Sequence, residues 1–137
     1  MHQAVSNRTA APVKGPYSQA IIAGNLVFVS GQVALTCEGE LIHGAIEEET
    51  RQVMANLRAI LKAAGLTFDH VVKTTIYLTD TTYFAQVNKI YGSYFKGTYP
   101  ARETVGVAAL PLGARVEISL IAAVLHPATP TSSCRDA

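Results

Sequence analysis

Several specialised classes of protein find no support in this sequence. Cysteine occurs only as Cys37 and Cys134, with no Cys-x-x-Cys pair, so free thiols are expected rather than a disulfide framework. The histidines, His2, His43, His70 and His126, stand far apart and lack the short spacings that give metal ligands a common helix face, so no metal is expected. No apolar run approaches the roughly 20 residues that span a bilayer. The opening MHQAVSNRTAAPVKG lacks the continuous apolar segment of a secretory signal, and a cytoplasmic protein is expected. Charge is sparse: charged residues make up 15% of the chain and the formal net charge is +1. The basic residues are scattered, with no Lys/Arg run and no interleaving with aromatics, which argues against a nucleic-acid-binding face.

What is present is apolar. The chain has 137 residues, of which 49% are hydrophobic, enough for one compact core and too apolar for disorder. Residues 1–11 are polar and expected to be flexible, residues 126–137 read as a flexible tail, and residues 12–125 read as a single domain without linker or internal repeat.

Within that domain, AIIAGNLVFVSGQVAL reads as a hairpin turning at Gly24-Asn25 and followed by a long strand. Val27, Val29, Val33 and Leu35 alternate there with Ser30 and Gln32, and Phe28 breaks the alternation. EEETRQVMANLRAILKAAG is an amphipathic helix with Val53, Leu57, Ile60, Leu61 and Ala64 on one stripe, acidic residues in its first turn and Gly65 at its end. VVKTTIYL is a strand rich in β-branched residues. Asp80 with Thr81 or Thr82 can cap a second helix, whose apolar stripe is Phe84, Val87, Tyr91, Tyr94 and Phe95. YPARETVGVAALPLGARVEISLIAAV supplies two last strands around a Pro-Leu-Gly turn. The order ββαβαββ, with room for another short strand near the N-terminus, defines an α+β domain whose helices pack on one sheet face.

Two ionisable residues in those last strands are out of place among aliphatic neighbours. Strand alternation puts Val116, Ile118, Leu120 and Ala122 on one face, and Arg115, Glu117, Ser119 and Ile121 on the other. In the strand before it, Val105, Val107 and Ala109 face one way, Arg102 and Thr104 the other. With the aliphatic rows under the helices, Arg102, Thr104, Glu117 and Ser119 are all expected on the opposite face. That face also carries Ile121 and Ala123, a mixture suited to a subunit interface.

GPYSQA (15–20), VSGQV (29–33), AAGLTFDHVVKTTIYLTD (63–80), FAQVNKIYGSYF (84–95) and the 99–124 segment together resemble the Rid family, the reactive intermediate deaminases, also labelled translation inhibitors or endoribonucleases of the L-PSP type. The resemblance spans residues 12–125. It implies a chorismate-mutase-like fold with one mostly antiparallel mixed sheet, and a homotrimer whose sheets face a central barrel, with active sites between subunits. It further implies cofactor-independent hydrolysis of 2-enamino and 2-imino acids, such as 2-aminoacrylate, to 2-keto acids and ammonia. Under it, Arg102 pairs with the substrate carboxylate, a task for which the guanidinium fork is suited and Lys is not. Glu117 positions the attacking water. Thr104 presents its main chain to the substrate nitrogen, and Tyr17, Ser30, Gly31 and Asn88 line the pocket.

Each of these residues also has an ordinary structural reading. Tyr17 can anchor a loop, Ser30 can be a plain strand residue, Asn88 can face solvent on a helix, Gly31 can mark a bulge and Arg102 can be a surface charge. Two positions depart from the family pattern. Glu103 follows the binding arginine where many relatives carry a small residue, and Ser119 replaces a common second acid. Other readings are a pathway-specific deaminase acting on a 2-aminomuconate-type intermediate, and a trimer that binds ligands or holds other proteins without turnover.

Overall fold

The computed structural model describes residues 2–124. Its elements are β1 (His2–Val5), β2 (Ala20–Ala23), β3 (Leu26–Gln32), α1 (Ile46–Ala63), β4 (Val71–Leu78), α2 (Phe84–Gly92), β5 (Ala101–Gly106) and β6 (Val116–Ala123), with short 3-10 turns at Phe68–His70, Thr81–Tyr83 and Pro111–Gly113. They form one six-stranded sheet in the order β1-β2-β3-β6-β4-β5. Neighbours are antiparallel except β4 and β5, which run parallel, with α2 as the crossover that a parallel connection requires.

The core lies between the sheet and the helices. Val116, Ile118, Leu120 and Ala122 on β6, Ile76 and Leu78 on β4, and Val27 and Val29 on β3 are buried against Val53, Leu57, Ile60 and Leu61 of α1. Burial of each of these larger aliphatic side chains contributes about 1.5–3 kcal/mol. The row alternation expected for β6 is observed: Glu117, Ser119, Ile121 and Ala123 are half-buried on the reverse face, which no described element covers. Asn56, fully buried on α1, donates through Nδ2 to the carbonyls of Val33 (3.2 Å) and Leu35 (2.8 Å), so the chain leaving β3 is fastened to the helix.

The structure departs from the sequence reading in several places. Residues 2–5, expected to be loose, pair with β2 as an edge strand, and Val5 is buried. The polar residues that suggested flexibility instead make the attachment: Asn7 donates to the Ala59 carbonyl at 2.6 Å, and Gln19 bridges Asn7 and Ala11. The long strand after the hairpin ends at Gln32, and a register slip between Val29 and Gln32 reverses the phase of the residues beyond. Val33 and Leu35 then pack with Ala11 and Ala114 in a small second cluster. α2 ends at Gly92, so Tyr94 and Phe95 lie beyond it, and Phe84 is 42% exposed rather than part of the core. Arg115 does not share the face of Glu117: it leads into β6 and bonds to Glu49 of α1. The expected tail at 126–137, with Cys134, lies outside the described residues.

Candidate active site

The pairing of β5 decides where Arg102 points. β5 is an edge strand paired in parallel with β4, with Arg102 opposite Thr74 and Thr104 opposite Ile76. Thr74 and Ile76 are buried under the helices. Residues directly opposite in a ladder share a face, so Arg102 and Thr104 lie on the helix side of the sheet. Glu117, opposite Tyr77, lies on the bare side. This overturns the expectation that Arg102, Thr104, Glu117 and Ser119 share one face. Val105 is no guide to the core face, because it stands opposite Tyr77 on the bare side with Glu117 and is 39% exposed, and the strand ends at Gly106, before Val107 and Ala109.

Around Arg102 the chain builds a recess of about 400 Å³ lined by Asn88, Tyr91, Gly92, Tyr99 and Pro100. Asn88 Oδ1 accepts from Arg102 Nη1 at 2.6 Å. The guanidinium carbon stands 5.2 Å from the Tyr91 ring centre and 5.6 Å from that of Phe84. Phe84, Asn88 and Tyr91 occupy one face of α2 at i, i+4 and i+7, so a single helix face cradles the cation. Tyr91 is in turn fixed from below by a 2.7 Å hydrogen bond between its hydroxyl and that of Thr74, both buried; burial raises the Tyr91 pKa, while the Thr74 bond and the Arg102 charge oppose the rise. Arg102 makes no ion pair among the described residues, and the rest of its fork is available to an anion. Glu103 faces away from it and pairs with Lys73 at 2.9 Å. Thr104 Oγ1 is buried with no hydrogen-bond partner among the described residues, a donor left for some other group.

Glu117 has a different setting. Its carboxylate is half-buried, and this desolvation pushes its pKa above the ordinary value of 4.5. A Cβ built on Gly31 would lie 2.9 Å from Glu117 Cδ and closer still to Oε2, so only glycine leaves room for the carboxylate at the β3 bulge. Gly31 therefore both marks a bulge and permits a close approach. Ser30 holds the neighbouring loop: its N–H donates to Gln19 O at 2.9 Å and its hydroxyl to Ser18 O at 2.6 Å. That tie brings the exposed Tyr17 beside Gly31, where the two share a small recess of about 30 Å³. A space of that size holds a water molecule or two.

The residues expected at the site thus fall into two groups. Asn88, Arg102 and Thr104 belong to the helix side, and Tyr17, Ser30, Gly31 and Glu117 to the β3–β6 side. The sequence reading missed Phe84, Tyr91 and Tyr99 as site residues, although the α2 spacing that aligns Phe84 and Tyr91 with Asn88 was available.

Fold and site define a small α+β protein with a recess around a guanidinium on one side of its sheet and a half-buried carboxylate on the other. The chain belongs to the Rid family, described as Endoribonuclease L-PSP, which matches residues 8–124. It is 47% identical over 123 residues to the 2-iminobutanoate/2-iminopropanoate deaminase of Mus musculus, covering 89% of this chain and 91% of that one. The Homo sapiens protein of the same name is 42% identical over 133 residues, 96% of each chain. Among solved structures, the Rid-family protein YyfA of Yersinia pestis superposes with a TM-score of 0.88 at 47% identity, covering 90% of this chain and all of the other. E. coli TdcF with bound serine superposes with a TM-score of 0.84 at 34% identity, covering 88% and 98%. No described helix is long and apolar enough to cross a membrane.

Proposed function

We propose that this chain is a cofactor-independent hydrolytic deaminase of small 2-enamino and 2-imino acids, and that its active site is completed between protomers of a homotrimer. Two relatives at 42–47% identity carry the name of that activity. The serine held by TdcF is a small 2-amino acid, of the same skeleton as 2-aminoacrylate. The observation that carries the reading is the division of the site: an anion-binding guanidinium on one sheet face and a desolvated carboxylate on the other. One chain does not bring them together. The bare face, with Ile121, Ala123 and the 42%-exposed Phe28 beside Glu117 and Ser119, has the mixed character of a subunit interface.

In this mechanism the substrate carboxylate pairs with the Arg102 fork, held in place by Asn88 and the ring of Tyr91. The enamine takes up a proton at its terminal carbon and gives up one from nitrogen, which leaves the imine. Water held by Glu117 of a neighbouring protomer adds to the C=N carbon, forming the C–O bond as nitrogen is protonated. The carbinolamine then expels ammonia, and loss of the hydroxyl proton leaves the 2-keto acid. Such substrates hydrolyse unaided, so orientation and a fixed charge suffice for the acceleration required.

The test has two stages. A serine dehydratase supplies 2-aminoacrylate, and loss of the imine is followed with and without the protein; no gain over the spontaneous rate refutes the activity. Arg102→Ala and Glu117→Ala chains, each inactive, are then mixed after denaturation and refolding. Pairing across protomers predicts recovery of about a quarter of the wild-type sites in a 1:1 mixture. A site contained in one chain predicts none.

A further inference from the structure

One further concavity carries charge that the rest of the molecule does not use. The end of α1, the turn at Leu66–Asp69 and the residues after α2 enclose about 440 Å³ on the helix side, sharing no residue with the Arg102 or Gly31 recesses. Arg58, Lys62 and Lys96 line it, and the only acidic lining residue is Asp69. Among the described residues none of the three cations makes an ion pair, with Asp69 or with any other carboxylate, whereas Arg51, Lys73 and Arg115 are all paired. Arg58 is held by ring faces instead: its guanidinium carbon stands 4.9 Å from the Tyr94 ring centre and 5.5 Å from that of Phe68. Stacking of this kind fixes the plane of the guanidinium and leaves its N–H edge free to donate.

Lys62 alone has a local explanation, since it sits in the last turn of α1, where the helix dipole favours a cation. That explanation reaches neither Arg58, one turn earlier, nor Lys96, which comes from another segment. Three like charges gathered round one cavity repel one another, and they do so here in a chain whose net charge is only +1. An anion in the cavity removes that repulsion. The lining also offers Leu66, buried Phe68 and the half-buried Tyr94, an apolar wall beside the charges. The volume lies in the range of small-molecule sites.

We propose that this cavity is a second ligand site, for a small organic anion whose carboxylate or phosphate group is carried on a flat apolar ring. The charged end meets Lys62, Lys96 and the free edge of Arg58; the ring lies along Leu66 and the edges of Phe68 and Tyr94. The site stands on different residues from the deaminase reading and does not depend on it.

Calorimetric titration of the full chain with phenyl phosphate tests this, with inorganic phosphate as the ringless comparison. The expected result is saturable binding of one phenyl phosphate per chain with a dissociation constant of roughly 1 mM or below, weakening as salt rises. A Lys62→Gln/Lys96→Gln variant, altered only at exposed side chains, should bind about tenfold more weakly or worse. Arg102→Ala, which removes the other guanidinium open to an anion, should retain this one-per-chain binding. Absence of saturation, equal affinity in the lysine variant, or loss of binding in Arg102→Ala would each overturn the site. Inorganic phosphate binding as tightly as phenyl phosphate would overturn the ring-bearing ligand class.

Discussion

The carboxylate of Glu117 fills the volume that any side chain on Gly31 would occupy, with its Cδ 2.9 Å from a built Cβ and Oε2 nearer still. Gly31→Ala must therefore move the acid, while Gly31 itself is exposed and contributes little to the core. A displacement of about 1 Å at a reacting centre costs on the order of 10²-fold in rate. The expected result is a fall of that size in kcat with a small change in melting temperature. A Gly31→Ala/Glu117→Ala double variant should be no slower than Glu117→Ala alone, and additive losses would show that the two residues act separately.

Arg102 is held by a hydrogen bond to Asn88 and by two rings, an arrangement that only a planar cation satisfies. Arg102→Lys should therefore behave much like Arg102→Ala, with kcat/KM down about 10²-fold or more. Asn88→Ala leaves the charge and loosens its aim, and should cost roughly 5–10-fold. Steady-state kinetics on an imine generated in situ measures both.

The acid limb of the pH–rate profile should lie above 4.5, because burial raises the Glu117 pKa and the ionised form is the one that accepts a hydrogen bond from water. Glu117→Gln should abolish that limb along with most of the activity. Stability runs the other way. A carboxylate whose pKa is raised on folding favours the native state while protonated, and that contribution is lost as pH climbs from 4.5 through the raised value. Glu117→Gln should thus raise the melting temperature relative to wild type more at pH 7 than at pH 4, by a few degrees at most given its partial exposure.

Glu49 tests the scaffold rather than the chemistry. Its side chain is 3% exposed; Oε1 accepts from Arg115 Nε at 2.8 Å and Oε2 from the Arg115 main-chain N–H at 2.8 Å, two residues before Glu117. Glu49→Ala leaves those donors without their acceptor, and because the Arg115 side chain is 31% exposed it should destabilise the fold by about 1–3 kcal/mol in denaturant unfolding. Glu49→Gln keeps one acceptor and should lose less.

Elements with strong periodicity are legible in the sequence, and those whose character depends on their neighbours are not. α1, β4 and β6 follow from stripe and alternation, since each packs one face against the core. β1 is legible only as room for a short strand near the N-terminus, because an edge strand with three exposed residues of four has little pattern to display. Arg102 and Glu117 both stand out in the sequence, yet alternation alone places them on one face; Val105, with Val107 and Ala109 beyond the strand, resembles a core row, and only the pairing of β5 with β4 shows otherwise. Glu49 is legible by a different route: the helix dipole accounts for an acidic first turn, but only the third of Glu47-Glu48-Glu49 stands four residues before Val53, on the apolar stripe.

β6 packs the protein's centre with one row of side chains and exhibits its acid with the other. Because the two rows interleave residue by residue, a single insertion or deletion between 116 and 123 would trade them, driving a carboxylate into oil and turning valine and isoleucine outward. The register of this strand therefore constrains it more tightly than the identity of any one side chain in either row.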